Sequence, residues 1–98
     1  MSGIKVVIVD RGWILVGPVE QRGGDTVVTH GAVVRRWGNG GKGLGWTLHN
    51  GPGDRDKLDG MPHETLIPRH SVVMIHSVPQ DVWRRAIEEA IARVCNDS

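Results

Sequence analysis

Five of the six residues in Ile4-Lys5-Val6-Val7-Ile8-Val9 are β-branched, and this run constrains the fold more than any other feature of the chain. Such side chains lose rotamer freedom in a helix and pack well on a pleated surface. The run is apolar without strict alternation, so it reads as a strand buried on both faces or nearly so. A strand of that kind needs cover on two sides, which requires further strands and a second layer.

The residues that follow supply the strands. Asp10-Arg11-Gly12 is a turn signal, and Trp13-Ile14-Leu15-Val16-Gly17 reads as the return arm of a hairpin, ended or edged by Pro18. Arg22-Gly23-Gly24-Asp25 is a second turn. Beyond it, Thr26–His30 and Ala32–Trp37 are two apolar runs split by Gly31, which predicts either one bent strand or a bulge. Thr65-Leu66-Ile67, stopped by Pro68, and Ser71–Val78 predict the last strands. The expected class is therefore α+β and β-rich: a small curved antiparallel sheet or barrel of five to six short strands, with one C-terminal amphipathic helix.

That helix is predicted over about residues 79–95. Ser77 with Gln80 three residues on fits a capping box, and Pro79 is acceptable in a first turn. Val82, Ala86, Ile87, Ala90, Ile91 and Val94 recur at helical spacing and are expected to form the buried stripe. Arg84 with Glu88, Arg85 with Glu89 and Glu89 with Arg93 would pair on the outer face. Ordering the helix costs roughly 1–2 kcal/mol per residue in backbone entropy. It must therefore pack on the sheet or on its twin in another subunit.

With 98 residues the chain fits a single domain, 1–98. Its strands lie at about 4–37 and 65–78, with a Gly- and Trp-rich insert at 38–60. The formal net charge of +1 gives no molecule-wide field for nucleic acid or membrane, so nucleic acid is not an expected partner. The run Ile4–Val9 is too short to span a bilayer. Cys95 is the only cysteine, which rules out an intramolecular disulfide and fits a reducing cytoplasm. It is expected on the apolar side of the last helical turn.

The insert holds eight of the fourteen glycines. Within it, Leu44–Asn50 predicts about two turns of helix, stopped by Gly51-Pro52. The preceding run Gly38-Asn39-Gly40-Gly41-Lys42-Gly43 can point backbone N–H groups at an anion, with Lys42 supplying charge. Gly43 after Lys42 excludes a Walker loop, and the glycine spacing excludes a dinucleotide fingerprint. A hairpin loop that needs glycine for positive φ explains the same residues.

Arg35-Arg36-Trp37 before this loop and Trp46 beyond it form the sharper constellation. Guanidiniums grip phosphate bidentately and an indole stacks on a base. The candidate ligand site is thus Arg35, Arg36, Trp37, Lys42, Trp46 and Arg55. Strand alternation puts Arg35 and Trp37 on one face and Arg36 on the other. In the competing reading Trp37 fills the core and both arginines guard an edge strand. The chain has four Trp and neither Phe nor Tyr, so core filling is open to every Trp. The five histidines show no metal-binding spacing, and no nucleophile–base pattern is present; no cofactor, metal or catalytic residue is expected.

The order Arg35-Arg36-Trp37-Gly38, then Gly43-Leu44-Gly45 with Leu48, Gly51-Pro52, Leu58-Asp59 and the strand Ser71-Val72-Val73-Met74-Ile75 resembles an uncharacterised family of small tailed-phage proteins. The resemblance covers about half the chain. It implies a viral origin and expression inside a bacterial host, and it brings no established activity. Together with the basic, aromatic and Gly-rich segment, it sets the functional expectation. The protein would be a non-enzymatic, homo-oligomeric binder of an anionic, nucleotide-like ligand that sequesters a host nucleotide signal. The alternative is a protein-interaction or structural module with no small-molecule ligand.

Overall fold

A computed structural model of the chain describes residues 3–36, 43–52 and 57–96, and of Arg36 the backbone alone. Seven antiparallel strands and two helices follow one another as β1 (Ile4–Val9), β2 (Ile14–Arg22), β3 (Asp25–Val28), β4 (Gly31–Arg36), α1 (Leu44–Asn50), β5 (Lys57–Met61), β6 (Thr65–Ile67), β7 (Val72–Ser77) and α2 (Gln80–Asn96). The five- or six-strand expectation is thus one or two short. The main path runs β5-β4-β2-β1-β7, while β3 joins β2 to β6. No ladder among the described residues connects β7 to β5 or β6, so the sheet is curved but open.

The curvature has its origin in β2. Its first half pairs with β1 and β4 and its second half with β3. Three steps along β2, Val16 to Val19, face four on the neighbouring chain, Val28 to Ala32. That extra residue is a bulge, and it splits the bent run around Gly31 into β3 and β4. A methyl group at Gly31 would overlap the Val16 carbonyl oxygen, and one at Gly17 would lie 2.8 Å from the His30 carbonyl. Glycine is required here by close backbone approach. Pro18 does not end the strand. It sits between the two ladders, where β2 changes partners, and its carbonyl accepts the Thr29 N–H at 3.0 Å.

β1 is buried on both faces, as its composition demands. On one side Ile4, Val6, Val16, Ala32 and Val34 pack with Val78, Trp83, Ile87 and Ala90 under α2. On the other, Val7, Val9, Leu15 and Val28 pack with Ile67 of β6, where the sheet curls over itself.

Four features of α2 and β5 differ from the sequence reading. The buried stripe of α2 is Trp83, Ile87 and Ala90, whereas Val82 and Val94 are 41% and 47% exposed. Trp83 is wide enough to set the contact line, and the stripe rotates toward it. Gln80 forms no capping box with Ser77. It clamps β1 instead, accepting the Ile4 N–H at 2.7 Å and donating to the Ile4 and Val78 carbonyls. The ion pair on α2 among the described residues is Arg84–Asp81 at 3.3 Å, not the pairs expected from charge spacing. Finally, Lys57–Met61 pairs with β4 as a strand, although it falls inside the expected insert. Gly60 there lets the backbone of α2 approach at Ala90.

Candidate functional site

The first hairpin closes through the Val9 N–H, which donates to the Trp13 carbonyl at 2.8 Å. Between them Asp10–Gly12 make a single 3₁₀ turn in which Arg11 is left-handed, with φ of 63°, and Gly12 follows at 82°. A left-handed residue with a Cβ costs roughly 1–2 kcal/mol. Arg11 is the only non-glycine residue with positive φ among those described, and such outliers gather at functional sites.

Trp13 emerges from this turn with 59% of its surface exposed. It lines a cleft of about 390 Å³ together with Arg11, Gly12, Val33, Arg35 and Asp59. β4 and β5 supply the far wall. Val33 and Asp59 are paired across them, and Arg35 lies one pleat further along on the same face. The Arg35 Nε lies 3.1 Å from the Asp59 carboxylate, with both side chains about half exposed or more. An exposed pair of this kind adds little stability. It holds the Arg35 side chain at the rim of the cleft. Arg11 forms no ion pair among the described residues.

A second depression adjoins the first. It encloses about 300 Å³ and is apolar, lined by Val9, Trp13, Leu15, Val33, Leu66 and Pro68 among others. Trp13 and Val33 line both.

The expected site residues divide accordingly. Arg35 is exposed and belongs to the cleft. Arg36 closes β4 after a register shift and faces Lys57 in the ladder; its side chain lies outside the described residues, as do Trp37, Lys42 and Arg55. Trp46 sits on α1, which forms over Leu44–Asn50 as predicted and stops at Gly51, whose N–H reaches the Thr47 carbonyl at 2.8 Å. α1 docks on α2: the Trp83 indole donates to the Leu48 carbonyl at 2.9 Å, and Leu48 packs against the core under α2. Trp46 thus belongs to a helix packed on the α2 side of the sheet, while Arg35 lines the cleft between β4–β5 and the first hairpin. Arg11 and Trp13, which do share a site with Arg35, were read from sequence only as turn and strand. The Asp-Arg-Gly turn with a Trp immediately after it was the one available signal.

Two other features bear on chemistry. At the opposite end of β2, Arg22 bridges Glu20 at 2.7 Å and Glu64 at 2.6 Å. Hydrogen bonding to Arg22 holds the Glu64 carboxyl below its ordinary range. Cys95 is exposed on the last turn of α2 rather than packed. Among the described residues no group of three His, Cys, Asp or Glu is placed to hold a metal ion, and no helix is long and apolar enough to cross a membrane. No protein-family model matches the chain, and no curated protein matches it.

Proposed function

We propose that this chain is a non-enzymatic binding protein for an anionic, nucleotide-like ligand, taken at the cleft of Arg11, Trp13, Arg35 and Asp59. One observation carries the reading: Arg11 and Arg35 line the same cleft as the exposed Trp13. Guanidiniums bind phosphate through paired N–H donors. An indole face gives a base a stacking surface, and a carboxylate such as Asp59 accepts hydrogen bonds from ribose hydroxyls. Arg36, Trp37, Lys42 and Arg55 enter this reading as further contacts from the end of β4 and the Gly-rich segment. The sequence resemblance to small tailed-phage proteins supports a role in sequestering a host immune nucleotide signal in the bacterial cytoplasm, by a homo-oligomer.

A second reading, a protein-interaction module, is favoured by β7. That strand ends the sheet path, carries no Lys, Arg, Asp or Glu, and exposes Val73, Met74 and Ile75. Uncharged apolar edges invite strand addition.

Thermal shift against mono-, di- and cyclic nucleotides, with the oligomer mass recorded alongside, separates the two. A ligand at a hundred times its Kd stabilises by about 2.7 kcal/mol, a shift of ten degrees or more for a domain of this size. The first reading expects such a shift for at least one nucleotide class, and its loss in Arg35→Ala. A flat panel sinks it and favours the module.

A further inference from the structure

The two depressions that meet at Trp13 differ in chemistry. One presents Arg11, Arg35 and Asp59; the other presents Leu15, Leu66, Ile67 and Pro68, with Leu66 57% exposed. Trp13 and Val33 are their common wall. Binding sites combine apolar surface with a few placed polar groups, and volumes of roughly 300–1,000 Å³ suit ligands of drug size. Each depression alone, at about 390 and 300 Å³, lies at the lower end of that range. The first brings Arg11, Arg35 and Asp59 to a cleft backed by Val33 and Val34, and the second adds apolar surface with no Lys or Arg among the described residues.

Resting on the ligand reading above, we infer that the site is bipartite and selects nucleoside phosphates over sugar phosphates. The phosphate lies with Arg11 and Arg35, the ribose hydroxyls face Asp59, and the base passes over Trp13 into the groove beside Leu66 and Pro68. Charge fixes the direction. Among the described residues the groove presents no Lys or Arg to receive a phosphate, and the cleft presents Arg11 and Arg35. Asp59 belongs to the same logic: a carboxylate repels phosphate and accepts hydroxyl, so it separates the sugar from the anion-binding end. The indole then contacts the base with a face that solvent otherwise covers. Base–aromatic stacking contributes enough that its removal weakens binding by roughly 5- to 150-fold per base.

Isothermal titration of the full chain with the four nucleoside 5′-monophosphates and with ribose 5-phosphate tests this. At least one monophosphate should bind about ten-fold or more tighter than ribose 5-phosphate. Trp13→Ala should erase that gap while leaving ribose 5-phosphate affinity unchanged, and Arg35→Ala should weaken both. Leu66→Ser provides a second variant at an exposed position and should narrow the gap without loss of the melting transition. Equal affinity for sugar phosphate and monophosphates, abolished by Arg35→Ala, overturns the bipartite site and leaves the anion reading standing. A gap that survives in both Trp13→Ala and Leu66→Ser also overturns it. Absence of binding by every probe overturns the bipartite site, and the panel of di- and cyclic nucleotides decides the anion reading separately.

Discussion

Replacing Trp83 by Phe should destabilise the protein by about 2–4 kcal/mol and loosen α1 more than any other element. Trp83 is fully buried in the stripe of α2, and its indole hydrogen-bonds α1 to the core. Phe keeps an aromatic ring but is smaller by roughly 40 Å³, which at ~24 cal/mol per Å³ of residual cavity costs about 1 kcal/mol. It also removes the indole donor and leaves the Leu48 carbonyl short of a partner, a loss of roughly 1–3 kcal/mol. For a domain of this size each kcal/mol lowers Tm by roughly 4–8 °C, so the melting point should fall by more than ten degrees. Urea denaturation followed by far-UV circular dichroism gives the free energy, and hydrogen exchange at the Gly51 amide reports on α1, whose last turn it closes. Val94→Ala is the control, because Val94 belongs to the stripe expected from periodicity yet is exposed; its cost should stay within about 0.5 kcal/mol. If Trp83→Phe costs under 0.5 kcal/mol, or if Val94→Ala costs as much, the packing argument for α2 is wrong. If the Gly51 amide keeps its protection while the global stability drops, the indole does not secure α1.

Gly31→Ala should cost more than 3 kcal/mol or prevent folding, because its Cβ would collide with backbone at Val16 rather than with a side chain that can move; soluble yield and a urea melt measure this, and near-wild-type stability would refute the close approach. The Glu64 carboxyl is held below its ordinary value by the hydrogen bond from Arg22, so it contributes stability above the unfolded value of ~4.3, and that contribution is lost as pH falls through the lower folded value. Glu64→Gln should therefore show a flatter loss of stability on acidification than the wild type in urea melts taken across that window; parallel curves would show that the pair is inert, as solvent screening makes many exposed pairs.

Where local chemistry alone dictates geometry, the sequence was readable. Gly23 and Gly24 both take positive φ at the predicted turn, because consecutive glycines are the cheapest way to reverse a twisted hairpin. Gly51 takes positive φ at the predicted end of α1 for a related reason. β1 advertised its burial on both faces by composition. What stayed hidden depended on partners distant in sequence. Lys57-Leu58-Asp59-Gly60-Met61 looks like loop because its charges point outward and its glycine packs against α2; only the pairing with β4 makes it a strand. Ser77 and Gln80 match a local capping pattern, but the Gln80 amide finds two unsatisfied groups of Ile4 within reach, and the long-range contact wins. Periodicity placed Val94 inside because it counts spacing and ignores where the sheet ends.

The same reasoning explains why the candidate site was half legible. Arg35 stood out through its composition, and Trp13 did not, since its parity with buried Leu15 argues for the core. Its exposure follows from β1 ending at Val9: the ladder reaches Ile8 opposite Ile14 and stops, so Trp13 lies beyond the last paired residue. The turn that carries it holds Arg11 in a conformation that Gly or Asn adopts more readily, and the Arg11 side chain recovers none of that cost through an ion pair among the described residues. A strained cation beside an exposed indole weakens the fold slightly on both counts. Stability alone selects against the combination, whereas a bound anion with a planar group would compensate both, through charge at Arg11 and through burial at Trp13.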